Sequence, residues 1–177
     1  MWRTTSKVSV VVALAALLGG CGLFQRVADG TRETAHGVFY KQVKVLHLDF
    51  SGRAALNSGF ENMNALSVPT LVRVYQLRDG KALGKSGYDE LLDAGDRLFG
   101  ANLLDQRTLM VAPEQGAQLS MPMHQDARHV AVVALFRFPE PHAGTWRLLL
   151  DRDDLDPDRA RTIEVGDNHL SLRGLEG

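Results

Sequence analysis

The stretch HVAVVALFRF, residues 129–138, is apolar at almost every position. A strand with one wet face alternates apolar and polar residues, because successive side chains point to opposite faces. A run without that alternation must be covered on both sides. It predicts a central strand with one layer of chain above it and another below. Other runs do alternate. In VKVLHLDF (43–50), Leu46, Leu48 and Phe50 share a face; in TWRLLLD (145–151), Trp146, Leu148 and Leu150 point in while Thr145 and Arg147 point out. TLVRVYQL (70–77), after Pro69, is rich in β-branched and aromatic residues. RTLMVAP (107–113) and AQLSMPM (117–123) flank Glu114-Gln115-Gly116 and predict a hairpin. Pro122 has no N–H to donate, which suits the second of these to a sheet edge. TIEVGDNHLSL (162–172) reads as two short strands about a Gly166-Asp167 turn.

One segment has a different period. In YDELLDAGDRLFGANLL (88–104), Tyr88, Leu91, Leu92, Leu98 and Phe99 fall on one helical face. Ser86 and Asp89 suggest a capping box before it, and Gly100 a stop after it. Gly95 inside such a helix costs about 1 kcal/mol relative to Ala. A helix over about 88–99, inserted among about eight short strands, predicts an all-β fold: a two-sheet sandwich.

The only cysteine, Cys21, ends an apolar run. Arg3 and Lys7 precede VSVVVALAALL (8–18), and Gly19-Gly20 follows. A basic start, a short apolar core and a small-residue cleavage site describe a secretory signal peptide. The run is too short to span a bilayer, which takes roughly 20 apolar residues. Leu18-Gly19-Gly20-Cys21 resembles the lipobox of bacterial lipoproteins, the alternative being an ordinary signal peptide that carries a cysteine. The resemblance implies that Cys21 is lipidated and becomes the first residue of the mature chain. Gly22, where Asp would favour retention at the inner membrane, implies sorting to the outer membrane. The expected organisation is a signal peptide over 1–20, a lipidated cysteine and tether over 21–42, and a sandwich domain over 43–177. A mature chain without a second cysteine has no internal disulfide and is held by its core.

The chain carries 20 Lys+Arg and 21 Asp+Glu; without Arg3 and Lys7 the balance is 18 against 21. A net negative chain with dispersed charge argues against a nucleic-acid partner, which demands a basic face.

PTLVRVYQLRDG (69–80), YDELL (88–92), GANLLDQRTLMVAPEQ (100–115), VAVVALFR (130–137) and WRLLL (146–150) occur in this order behind the lipobox. The ordered set resembles the TssJ (SciN) lipoproteins of the bacterial type VI secretion system, over nearly the whole mature chain. The resemblance implies a transthyretin-like sandwich with a helical insertion, held on the periplasmic face of the outer membrane. It implies a non-enzymatic scaffold that binds the periplasmic C-terminal region of TssM, with TssL in the same trans-envelope complex, and no cofactor or small-molecule substrate. It also implies that the connection between the first two strands carries the TssM contact.

That connection here is SGRAALNSGFENMNALSVP, residues 51–69. Loops beyond about 12–15 residues are usually functional or disordered. Phe60, Met63 and Leu66 offer apolar anchors, and Asn57, Asn62 and Asn64, with Glu61, offer polar contacts. Composition alone leaves open a second reading, in which Phe60 and Leu66 fold back onto the sandwich edge; the resemblance favours partner contact. Two other functions are weighed: a membrane-tethered ligand or copper carrier, and a pilotin-like assembly lipoprotein of another machine. Met121, Met123 and His124 are soft ligands suited to Cu(I), yet both methionines share the inward register of Leu119. DRDDLDPD (151–158) has acids spaced as in a calcium loop but Arg159 and Val165 where Gly and Glu are required, so it reads as a solvated turn. No nucleophile elbow, P-loop or zinc-binding histidine spacing occurs.

Overall fold

The computed structural model describes residues 42–58 and 66–174. In chain order the elements are β1 (Val45–Gly52), β2 (Thr70–Leu77), α1 (Lys81–Lys85), α2 (Tyr88–Ala94), β3 (Leu103–Val111), β4 (Gly116–Pro122), β5 (His129–Leu135), β6 (Arg147–Asp151), β7 (Arg161–Gly166) and β8 (His169–Leu172). The strands form two four-stranded sheets, ordered β4-β1-β7-β8 and β3-β2-β5-β6. The β1–β7 pairing is parallel and the others are antiparallel. The all-β sandwich read from the strand pattern is therefore the fold.

The core lies between the sheets. Leu46, Leu48 and Phe50 of β1 stand opposite Met121, Leu119 and Ala117 of β4. From the second sheet come Val72 and Val74, opposite Ala134 and Val132. Gln76 follows on the same face, fully buried, and it spans the gap between sheets. Its Nε2 donates to the Pro122 carbonyl at 2.8 Å, and its Oε1 accepts the His124 N–H at 2.7 Å. Met121 and Met123 are buried in this core, as their register predicts.

The apolar run at 129–138 holds β5 in the sheet interior, between β2 and β6, as expected for a central strand. Its outer face is covered by the segment between β2 and β3. Arg73 donates to the Leu91 carbonyl at 3.3 Å. The Tyr75 and Phe99 rings meet at 4.8 Å, and Tyr88 meets the Trp146 ring edge-on at 5.2 Å. Arg147 of β6 reaches the carbonyls of Leu83 and Ser86 while its guanidinium lies 4.8 Å from the Trp146 ring. Leu83, Leu91 and Phe99 of this cover are buried, each contributing about 1.5–3 kcal/mol.

Three local expectations are corrected. The helix expected over about 88–99 ends at Ala94, because Gly95 adopts φ 52, a conformation that only glycine reaches cheaply. A 3₁₀ turn (Gly95–Leu98) continues the segment, and α1 precedes it. The capping box is absent: Gly87 is the N-cap of α2, and the Ser86 hydroxyl donates to the Ala82 carbonyl. Leu92, expected on the buried face, is exposed.

The expected hairpin of 107–113 and 117–123 is a corner instead. β3 and β4 lie in different sheets. Pro113 cannot extend a ladder, Glu114 takes φ 57, and the Gln115 carbonyl accepts the Gly52 N–H at 2.9 Å. A Cβ on Gly52 would stand 2.1 Å from the Ala112 carbonyl oxygen, so only glycine fits against this corner. The last turn is displaced by one residue. Gly166 pairs with His169, leaving Asp167-Asn168 as a two-residue loop with φ 46 and 57, the signature of a type I′ hairpin. β4 does lie at a sheet edge, where Pro122 is tolerated.

Candidate partner interface

The connection from β1 to β2 leaves and returns on a pinned base. Beyond Gly52, the Arg53 N–H donates to the Val165 carbonyl at 2.9 Å, and the Ala55 carbonyl accepts the Asp167 N–H at 3.0 Å. Leu56 is fully buried. Its carbonyl accepts the Val68 N–H at 3.2 Å, while the Ser67 hydroxyl donates to the Ala54 carbonyl. The outgoing and returning limbs are thus tied to each other. Asn168 Nδ2 donates to the Ser58 carbonyl at 3.0 Å, so the β7–β8 turn holds the outgoing limb from the side. Glu164 accepts from both Arg53 and Arg173. Those hydrogen bonds, from Arg173 first and then Arg53, hold its carboxyl below the usual glutamate range.

Asn57, expected among the partner contacts, is corrected to a framework residue. It is 3% exposed and sits at φ 53. Its Oδ1 accepts the Arg137 N–H at 2.6 Å. Asparagine tolerates the left-handed region because its short amide bonds locally; here that bond ties the limb to the segment after β5. Leu66, by contrast, is 75% exposed. Phe60, Glu61, Asn62, Met63 and Asn64 lie outside the described residues, as does Cys21.

The opposite end of the sandwich receives the chain from the N-terminal segment. Here Arg152 donates to the carbonyls of His124, Gln125 and Ala127 at 3.0, 3.1 and 2.9 Å, and to that of Val43 at 2.8 Å. One guanidinium, with five donors in a rigid fork, fastens the start of the domain to the β4–β5 connection. The acids around it cap turns. Asp151 and Asp154 cap each other across a 3₁₀ turn. Asp156 accepts the N–H groups of Asp158 and Arg159 and the Arg159 side chain, as a solvated turn requires. Among the described residues no group of three or more His, Cys, Asp or Glu side chains is placed to hold a metal ion. The Arg152 clamp and the ties from the loop base to β7 and its turn were missed in the sequence because they join residues more than 20 positions apart, whose adjacency only the tertiary fold creates.

A family model for the type VI secretion lipoprotein, which includes VasD, EvfM and TssJ, matches residues 44–168. No curated protein matches. Among solved structures, a chain of a type VI membrane complex is similar at 32% identity and TM-score 0.70, covering 75% of this chain and 100% of that one. A chain in a structure of the T6SS protein TssM C-terminal domain (869-1107) from EAEC is similar at 31% identity and TM-score 0.67, again over 75% and 100%. Serratia marcescens Lip, a membrane bound component of the type VI secretion system, shares the fold at 22% identity and TM-score 0.64, over 74% of this chain and 98% of that one. With its two-sheet sandwich matching over three quarters of its length and the family pattern over 44–168, the chain belongs to the type VI secretion lipoprotein family.

Proposed function

We propose that this chain is an outer-membrane lipoprotein, facing the periplasm, that anchors the type VI secretion trans-envelope complex by binding the periplasmic C-terminal region of TssM. The observation that carries the reading is the make-up of one similar structure. Its fragment, 869-1107, spans 239 residues, whereas the chain matched in full there is covered by three quarters of 177 residues, about 133. The likeness is therefore to a smaller chain in a structure of the TssM fragment. The loop at 51–69 is the proposed contact, through Phe60, Glu61, Asn62, Met63, Asn64 and Leu66. Its base is pinned by hydrogen bonds to β7, to the β7–β8 turn and between its own limbs, which limits the entropy cost of docking there. The scaffold role involves no catalysis, and TssL belongs to the same complex.

Two measurements test this. The lipidated chain should bind a TssM periplasmic C-terminal fragment by calorimetry, and Phe60→Asp should weaken that binding without lowering the melting temperature. Absence of binding by the wild-type chain defeats the anchoring role, and equal loss of binding and stability defeats the loop assignment. Separately, Cys21→Ser should abolish palmitate labelling; a labelled variant rules out Cys21 as the anchor.

A further inference from the structure

The cover on the outer face of the β3-β2-β5-β6 sheet stops one row short. Thr108, Arg73, Val133 and Arg147 lie in one cross-strand row, and both arginines in it bond to carbonyls of the helical segment. The next row is Met110, Leu71 and Leu135. In this row Met110 and Leu71 are 61% and 43% exposed, whereas Leu135 is half-buried against the core beside the Phe136 carbonyl that Tyr88 reaches. Phe138, three residues beyond Leu135, is 51% exposed, with the Arg137 guanidinium 5.4 Å from its ring. Leu66 lies at the same end, just before β2 begins. Scattered exposed apolar residues need no explanation, but Met110 and Leu71 are cross-strand neighbours, and adjacent exposed apolar side chains mark an interaction site.

We infer that Met110, Leu71, Leu135 and Phe138 form a second docking surface for TssM, one that takes an apolar segment of its periplasmic C-terminal region beside the 51–69 loop. This rests on the anchoring role proposed above. Three observations favour this occupant. The patch is continuous with the loop's base: Leu71 follows the returning limb directly, and Asn57 on the outgoing limb is bonded to Arg137, next to Phe138. It also lies at the far end of the sandwich from Gln42. β1 runs from Val45, near that start, to Gly52 at the loop, and seven steps of about 3.4 Å separate them by about 24 Å. The patch thus lies at the end of the sandwich away from Gln42. Finally, four side chains cover on the order of a few hundred Å², below the ~800 Å² per partner of a stable interface. That is too little for a second copy of the chain to hold alone, and it suits a surface that enlarges a contact made elsewhere.

The test uses the full lipidated chain in detergent and a TssM periplasmic C-terminal fragment. Met110→Glu and Phe138→Glu alter exposed side chains and should each weaken binding about tenfold with the melting temperature unchanged. A benzophenone side chain in place of Met110 should cross-link to the fragment, which reads the contact even if a glutamate variant is unstable. Wild-type affinity in both folded glutamate variants, or cross-links only between copies of the chain, overturns the inference. If the wild-type chain does not bind the fragment at all, the anchoring role fails and this surface with it. If Phe60→Asp weakens binding and the two glutamate variants do not, the patch alone fails.

Discussion

Gln76 and Asn57 show how single polar side chains hold this sandwich. Both are buried, and each satisfies backbone groups that would otherwise be orphaned between elements. Leaving such a group without a partner costs about 1–3 kcal/mol. Gln76→Met keeps the volume but strands the Pro122 carbonyl and the His124 N–H. It should lower stability by about 2 kcal/mol in a denaturant titration, and an unchanged midpoint would show that the two sheets do not depend on this bridge. Asn57→Ala leaves the Arg137 N–H unbonded and forces alanine into φ 53. It should cost about 2 kcal/mol, so its effect on TssM binding should follow its melting temperature. Phe60→Asp, in contrast, should change binding alone. The sequence offers Asn57 as one of three polar loop asparagines; its left-handed backbone and its partner 80 positions away are visible only in the fold.

At the scale of elements, the helical segment behaves as a cover fastened by arginines. Its period was legible because Tyr88, Leu91 and Phe99 do face the sheet. Its break was not, because Gly95 reads as a mild helix penalty until its positive φ is seen. The alternation of β6 reads Arg147 as outward. It does point outward, but into the carbonyls of Leu83, Ser86 and, at 3.4 Å, Gly84. Arg147→Met keeps an aliphatic stem over Trp146 and removes every charge-assisted bond. It should destabilise by about 2–3 kcal/mol. Hydrogen exchange should accelerate first at the amides of 81–94, because a cover opens before the sheet beneath it. Uniform acceleration across β2 and β5 would show that the cover and the sheet form one cooperative unit.

For the whole molecule, pH reports on the packing of that cover. Burial pushes the phenol pKa values of Tyr75 and Tyr88 up, against a smaller opposing effect of Arg73. Tyr88 also donates its hydroxyl hydrogen to the Phe136 carbonyl. In the unfolded chain these phenols ionise near pH 10, while the folded chain keeps them neutral to higher pH. Their contribution is therefore complete below about pH 10 and is lost as pH rises through the folded values. The melting temperature should fall above pH 10, and less steeply in Tyr88→Phe; equal slopes would remove Tyr88 as a cause. At the acid side the sign is reversed. Glu164 is held low by Arg173 and Arg53, so its support is present above the ordinary glutamate pKa and fades as pH falls through the lowered value.

Strand content, the central position of β5, the inward faces of β1 and β6 and the edge position of β4 follow from residue periodicity, because a pleated backbone sends alternate side chains to opposite sides whatever the rest of the chain does. The family pattern is equally legible, since it is an ordered set of local residues. Sheet membership is another matter. A tight turn between two alternating runs serves a hairpin and a corner alike. β3 pairs with β2 and β4 with β1 because their apolar faces complete the core on opposite sides. The same holds for the base of the 51–69 loop and for the uncovered row beside it. Asn57 meets Arg137 across 80 positions through a side-chain bond, and Leu71 meets Met110 and Leu135 through strand pairings; no local stretch encodes either.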